Sequence, residues 1–184
     1  GTQTDRDSWA PAISGDGRFV AFASYFSHFV EDGNNRTDVF VHDRTTGDTS
    51  RASVFGADTE AAGDSWAPSI SSDGHCVAFS SWADDLASGD DNGRVDVYLR
   101  DRNAGVTVRL SAGADHSWSP SLSGDARFAT FVSGDLIRRI DRLTSEVFIV
   151  GAGRSPYPSD DGRFVALLAS TAAILREAGE GRTA

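Results

Sequence analysis

The feature that most constrains this chain is that it repeats itself. The string DSWAPAISGDGRFVAF at residues 7–22 returns as DSWAPSISSDGHCVAF at 64–79 and, shortened, as SWSPSLSGDARF at 117–128. A worn fourth copy, SPYPSDDGRF, occupies 155–164, with Arg154 where the others carry Trp. The prolines Pro11, Pro68, Pro120 and Pro156 lie 57, 52 and 36 residues apart, so one structural unit recurs with loops of unequal length. A second block keeps phase with the first, as DVFVHDR at 38–44, DVYLRDR at 96–102 and, more loosely, LIRRIDR at 136–142.

Each unit reads as four short strands. Pro-x-Ile-Ser is the first, and Asp16-Gly17, Asp73-Gly74 or Asp161-Gly162 turns the chain into the second, because Gly accepts the positive φ of a tight hairpin. The second strand is Phe19–Ser24 and its equivalents; the third is Val39–His42. A Thr-Gly or Ala-Gly turn then leads to a fourth at Thr49–Val54 or Thr107–Ser111. Phe19-Val20-Ala21-Phe22 is apolar on successive residues, whereas a sheet with one wet face alternates, so both faces are covered. Stacking four-stranded blades around an axis does this, and 184 residues over four units, 46 each, suits the period of roughly 40–45 residues per blade.

The expected fold is therefore all-β: a β-propeller of four-stranded antiparallel blades in a single region, 1–184. Blade one spans about 7–55, blade two 64–112, blade three 116–151 and a partial blade four 154–184. Three good repeats and one partial leave an arc of a larger propeller or a degenerate four-bladed ring, with the arc favoured. No fourth strand is recognisable after Ala172–Glu177, and that segment has the good helix formers of a short helix. The Pro-x-Ile-Ser-x-Asp-Gly-Arg-Phe-Val-Ala-Phe string, followed by Asp-Val-Phe-Val-x-Asp-Arg and a Thr-Gly turn, resembles the TolB-type, WD40-like β-propeller repeats of bacterial proteins. The resemblance implies a periplasmic or secreted protein, commonly a binding scaffold and sometimes a domain attached to a hydrolase or lyase.

Charge and composition narrow the partners. The net charge is −10, and all 17 basic residues are Arg. A polyanion such as nucleic acid is disfavoured by that balance. No apolar run approaches the roughly 20 residues that cross a bilayer. The lone Cys76 admits no internal disulfide. The chain contains no Met, and the expectation is that a leader or further repeats belong to a longer reading frame.

In an up-and-down blade the one-to-two and three-to-four turns share one end; the two-to-three loop and the crossing to the next blade share the other. The second end gathers the long loops 25–37 and 82–95 and the Ser-Trp entries, so function is expected there. Trp9, Trp66 and Trp118, with Tyr25 and Trp82 at the mouths of the long loops, read first as wedges between blades and second as platforms for a sugar or peptide. The loops repeat Asp-x-Asn-x-x-x-Asp as Asp32, Asn34, Asp38 and Asp90, Asn92, Asp96. Such oxygen-only side chains suit Ca²⁺, although the pattern departs from an EF-hand and equally suits turn capping. The repeated Asp43-Arg44, Asp101-Arg102 and Asp141-Arg142 read as internal hydrogen-bonding pairs. His28, His42, His75 and His116 share no dyad spacing with Cys76, no Gly-x-Ser-x-Gly elbow occurs and no phosphate loop opens a helix. The expected function is thus a non-catalytic scaffold for a protein, peptide or glycan, without a required cofactor. The alternatives are the propeller portion of a hydrolase or lyase acting on peptides or polysaccharides, and a calcium-stabilised structural propeller.

Overall fold

The computed structural model describes residues 7–25, 30, 33–170 and 172–177. Blade one is β1 (Ser8–Ile13), β2 (Phe19–Ser24), β3 (Asp38–Asp43) and β4 (Thr49–Arg51). A small hairpin, β5 (Val54–Phe55) with β6 (Thr59–Glu60), leads to blade two, which is β7 (Ser65–Ile70), β8 (Cys76–Ser81), β9 (Asp96–Asp101) and β10 (Val106–Arg109). Blade three is β11 (Ser117–Leu122), β12 (Phe128–Ser133), β13 (Leu136–Asp141) and β14 (Glu146–Ala152). The last sheet has three strands, β15 (Arg154–Pro158), β16 (Phe164–Leu168) and β17 (Ala173–Glu177). Every sheet is an antiparallel meander in chain order, and the four are arranged about an axis as a β-propeller.

Two local expectations are corrected. Residues Ala173–Glu177 form a strand rather than a helix, paired with β16 from Phe164↔Glu177 to Leu168↔Ala173. The open edge of β16 supplies backbone partners that an isolated helical turn cannot match, and tertiary pairing overrides a weak local propensity. The fourth strand of blade one also stops at Arg51, because Val54 leaves the blade to pair with Glu60 in the hairpin.

The apolar core lies between blades. Ala21, Val39 and Val41 of blade one meet Val77, Phe79 and Tyr98 of blade two. Ala78, Val97 and Leu99 of blade two meet Leu122, Ala129 and Phe131 of blade three. Val132, Ile137 and Val150 of blade three then meet Val165 and Leu167 of blade four. Val77 and Phe79 thus point back while Ala78 points forward, which explains why the second strands carry no polar face.

A single contact repeats at each of these interfaces. The ring of Phe19 lies over Gly74 of the next blade so closely that a Cβ there would sit 2.1 Å from Phe19 Cδ2, and a Cβ on Gly162 would sit 1.9 Å from Phe128 Cδ2. Both glycines have positive φ, +74° and +66°. At the middle interface Cys76 replaces Phe, and its facing turn residue is Ala126, also left-handed at φ 56°. The smaller side chain faces the turn that keeps a Cβ. Arginines complete the contact. Arg18 and Arg102 lie 4.7 and 4.8 Å from the Phe19 ring centroid, and Arg127 and Arg139 both lie 4.8 Å from that of Phe128, a cation–π geometry.

The Asp-Gly turns themselves are built alike. Ser14 Oγ donates to Asp16 Oδ1 (2.6 Å) and accepts from Phe19 N–H (2.9 Å), while Arg18 N–H donates to the same carboxylate oxygen (2.9 Å). The same three bonds recur around Ser71, Ser123 and Ser159. Neighbouring turns are joined by backbone: Gly15 N–H donates to Ser72 O (2.9 Å) and Ser72 N–H to Gly124 O (2.8 Å).

Size matching across blades gives a double-mutant test. Cys76→Phe alone drives a ring into the Ala126 Cβ and is expected to cost about 1–3 kcal/mol in urea denaturation. Combining it with Ala126→Gly should recover most of that loss through a coupling of about 0.5–3 kcal/mol. Additive effects of the two substitutions would show that the pair does not touch in solution.

Candidate functional site

The turn end is closed and regular. Arg18 grips Asp43 with the two donors of one guanidinium edge (Nη2–Oδ2 2.7 Å, Nε–Oδ1 3.0 Å), so the one-to-two and three-to-four turns meet there. Arg127 grips Asp141 in the same way (2.7 Å). The hydrogen bonds from Arg18 hold the Asp43 carboxyl down to about 2, and those from Arg127 lower Asp141. Ser14 and Ser159 hydroxyls lower Asp16 and Asp161. A carboxyl whose folded pKa lies below its unfolded value of about 3.9 stabilises the fold above that value and loses the contribution as pH falls.

The opposite end carries the long loops and the aromatic residues. Trp9, Trp66 and Trp118 each occupy the second position of an innermost strand, paired in register with Ala23, Ser80 and Val132. Trp9 is 41% and Trp118 36% exposed, and Trp66 is half-buried. Tyr25, 42% exposed, and Trp82, 49% exposed, stand at the exits of β2 and β8. Trp82 is braced edge-on against His116 with ring centroids 5.1 Å apart, and His116 Nδ1 accepts a hydrogen bond from Val95 N–H (2.9 Å). Trp82 is therefore anchored at one edge and open to solvent at the other.

Two concavities adjoin this end. A cleft of about 610 Å³ lies between blades three and four, lined by Trp118, Asp135, Gly153 and Arg154 among others. A cavity of about 510 Å³ follows the axis along the four innermost strands. Its wall has a feature the repeat hinted at without revealing. Ala10, Ala67, Ser119 and Ser155, each just before the repeat proline, all have φ between 51° and 54°. The pairing register slips there in every blade, from Trp9 to Ala12, Trp66 to Ser69, Trp118 to Ser121 and Arg154 to Tyr157. A bulge of this kind turns backbone out of the ladder and towards the axis. The recurrence of an X-Pro pair after Trp was the available signal, since Pro cannot donate to a ladder.

The acidic loop residues sit in internal networks. Ser53 Oγ (2.5 Å) and Asn34 Nδ2 (3.3 Å) donate to Asp38, whose carboxylate also meets Arg51 Nε at 3.2 Å. In blade two Ser111 Oγ and Asn92 Nδ2 (2.9 Å) donate to Asp96, and Arg109 bonds Asp90 at 2.7 Å. Tyr98 O–H donates to Asp90 and to Ala83 O (2.7 Å); burial, with the Asp90 carboxylate adding to it, pushes the phenol well above its ordinary pKa. Asp32 lies outside the described residues. Asn34 and Asn92 thus turn donors towards the carboxylates, and arginines supply the counter-charge. Among the described residues no three His, Cys, Asp or Glu side chains converge as a metal cluster. Cys76 is partly buried, its thiol raised by that burial.

Among solved structures, TolB from Acinetobacter baumannii superposes with a TM-score of 0.66 at 19% identity, over 98% of this chain and 43% of that one. A protein assigned as TolB from Agrobacterium tumefaciens gives 0.62 at 22% identity, over 86% and 52%. An oligogalacturonate lyase in complex with manganese gives 0.57 at 11% identity, over 89% and 46%. The chain therefore spans about half the length of each of these proteins, and it shares with them a TolB-like propeller fold. No family model and no curated protein matches the sequence. No described helix is long and apolar enough to cross a membrane.

Two measurements follow from this geometry. Melting temperature should fall as pH drops from about 4 towards 2, where the depressed carboxyls protonate, and the Arg18→Gln variant should lose part of that sensitivity; a flat profile in differential scanning calorimetry would discount the pairs. Millimolar Ca²⁺ should leave the melting temperature unchanged, because Arg51 and Arg109 already face the loop carboxylates. A clear rise with Ca²⁺ would assign those loops to a metal instead.

Proposed function

We propose that this chain is a non-catalytic propeller scaffold that binds a protein or peptide segment at its long-loop end, in a periplasmic or secreted protein. The observation that carries the reading is the set of Trp9, Trp118, Trp82 and Tyr25, each between 36% and 49% exposed at strand ends of this face, with Trp118 also lining a cleft of about 610 Å³. Half-anchored aromatic rings contribute large contact area at little cost in side-chain entropy, which is why they dominate binding hot spots.

Electrostatics select the kind of segment. Asp84, Asp85, Asp91, Asp115 and Asp135 are exposed or half-exposed on the loops of this end, and the chain as a whole carries −10. These five acids outnumber the exposed Arg36, Arg94 and Arg154 of the same end, so an acidic polysaccharide would meet net repulsion, whereas a neutral or basic peptide with aromatic or proline side chains would meet attraction and stacking surface. The acids near the rim that sit deepest, Asp38, Asp90 and Asp96, are tied to arginines and hydroxyls, which leaves them as struts for the loops.

The test is a peptide library displayed on phage and panned against the 184-residue chain, with the enriched peptides measured by isothermal titration calorimetry. Substituting Trp9, Trp82 and Trp118 together by Ala should weaken them at least about tenfold, roughly 1.4 kcal/mol or more, with the far-UV spectrum unchanged. Undiminished binding by that variant would move the site away from the aromatic end. Binding of oligogalacturonate in preference to any peptide would favour the polysaccharide reading.

A further inference from the structure

The crossing from one blade to the next is fastened twice in the same way. Thr37 O accepts from Ser65 N–H, and Val95 O accepts from Ser117 N–H, both at 2.7 Å. In return, Thr37 N–H donates to Asp64 Oδ1 at 2.8 Å, and Val95 N–H donates to His116 Nδ1 at 2.9 Å. At both crossings the residue before Ser-Trp therefore has one duty, to accept a backbone hydrogen bond. The repeat carries Asp at this position in residues 7 and 64, and His at 116.

That exchange reverses the outward chemistry of the position. An aspartate shows only acceptors, whereas a neutral imidazole that accepts at Nδ1 carries its proton on Nε2 and donates there. His116 Nε2 lies 3.2 Å from Arg94 Nη1, and a guanidinium has no acceptor to offer it. Two donors thus stand side by side with no acceptor between them. The carboxylates deeper in the same loop are already taken, Asp90 by Arg109 and Tyr98, Asp96 by Ser111 and Asn92. Among the described residues Arg94 has no ion-pair partner. Arg94 is exposed and His116 half-buried, and the exposed ring of Trp82 stands edge-on to the imidazole at 5.1 Å.

We infer that Arg94 and His116 Nε2–H together bind one carboxylate of the segment that docks at the long-loop end, with an aromatic or proline side chain of that segment against Trp82. This rests on the peptide-binding role proposed for that end and names a chemical group its partner carries. A carboxylate satisfies both donors at the short distances of charge-assisted hydrogen bonds, about 2.7–2.9 Å. The acids of the rim repel anions at longer range, but the Debye length is only about 8 Å at physiological salt, so the two donors in contact decide the last step. A neutral or basic segment with a single carboxylate, at its C-terminus or on an Asp or Glu side chain, meets both conditions.

Three small probes, titrated into the ¹⁵N-labelled chain at pH 7.5, read the site directly through the Trp82 indole signal. N-acetylphenylalanine offers a terminal carboxylate, acetyl-aspartyl-phenylalanine amide a side-chain carboxylate, and N-acetylphenylalanine amide neither. At least one acid is expected to bind about fivefold or more tighter than the neutral amide, and the tighter acid identifies the source of the carboxylate. His116→Asp keeps an acceptor for Val95 N–H, as Asp64 does for Thr37, but replaces the donor by a carboxylate. It should abolish the preference for acid while leaving the melting curve intact, and Arg94→Gln should do the same. Equal binding of all three probes overturns the inference, and so does a preference that survives both substitutions. Oligogalacturonate that occupies this site more tightly than any probe overturns the peptide assignment. Panned peptides that ignore the loss of Trp9, Trp82 and Trp118, alongside a preserved preference for acid at Trp82, would remove the scaffold reading and keep the carboxylate site.

Discussion

The propeller depends on a close approach between one side chain and one backbone turn at each blade interface. The turn residue adopts a left-handed conformation that Gly reaches without steric cost, and the space left by its missing Cβ admits the ring of the preceding blade. At the interface where the ring is absent, Cys76 is small and Ala126 retains its Cβ. A ring and a facing Cβ are thereby never present together, as a close-packed interface requires. The Ser-x-Asp-Gly hydrogen bonds hold each turn in the shape that this approach needs.

The same geometry separates two tasks along the axis. At the turn end, Arg18–Asp43 and Arg127–Asp141 tie the two hairpins of a blade together, and backbone bonds join one turn to the next. At the other end the strands terminate in tryptophans with one edge free. Side chains on strand ends are held more firmly than side chains on loops alone, and the Asp-Asn-Ser-Arg networks under the long loops of blades one and two add to that support.

Much of this was legible in the residues because the repeat supplies its own internal comparison. Strand order, the Asp-Gly turns and the two-sided burial of Phe19–Phe22 follow from three aligned copies. The segment 172–177 was less legible, since its local preference is helical and only the edge of β16 decides otherwise. The exposure of Trp9 and Trp118 was also hidden, because a Trp beside a repeat proline looks the same whether it faces a neighbour or solvent. The exchange of Phe and Gly for Cys76 and Ala126 is written in the sequence, but the partners are 50 residues apart. It becomes visible only when one blade is laid against the next.

The four innermost strands are the edge strands of their sheets and face the axis with that edge unpaired, an arrangement that ordinarily invites strands to zip together into one continuous sheet. In every one of them the residue before proline is left-handed, and the proline that follows has no N–H to offer. The interruption falls at the same height in all four, so no uninterrupted ladder is available across the centre. The X-Pro pair that recurs in all four copies is therefore also a safeguard: it keeps the hub hollow, and the blades separate.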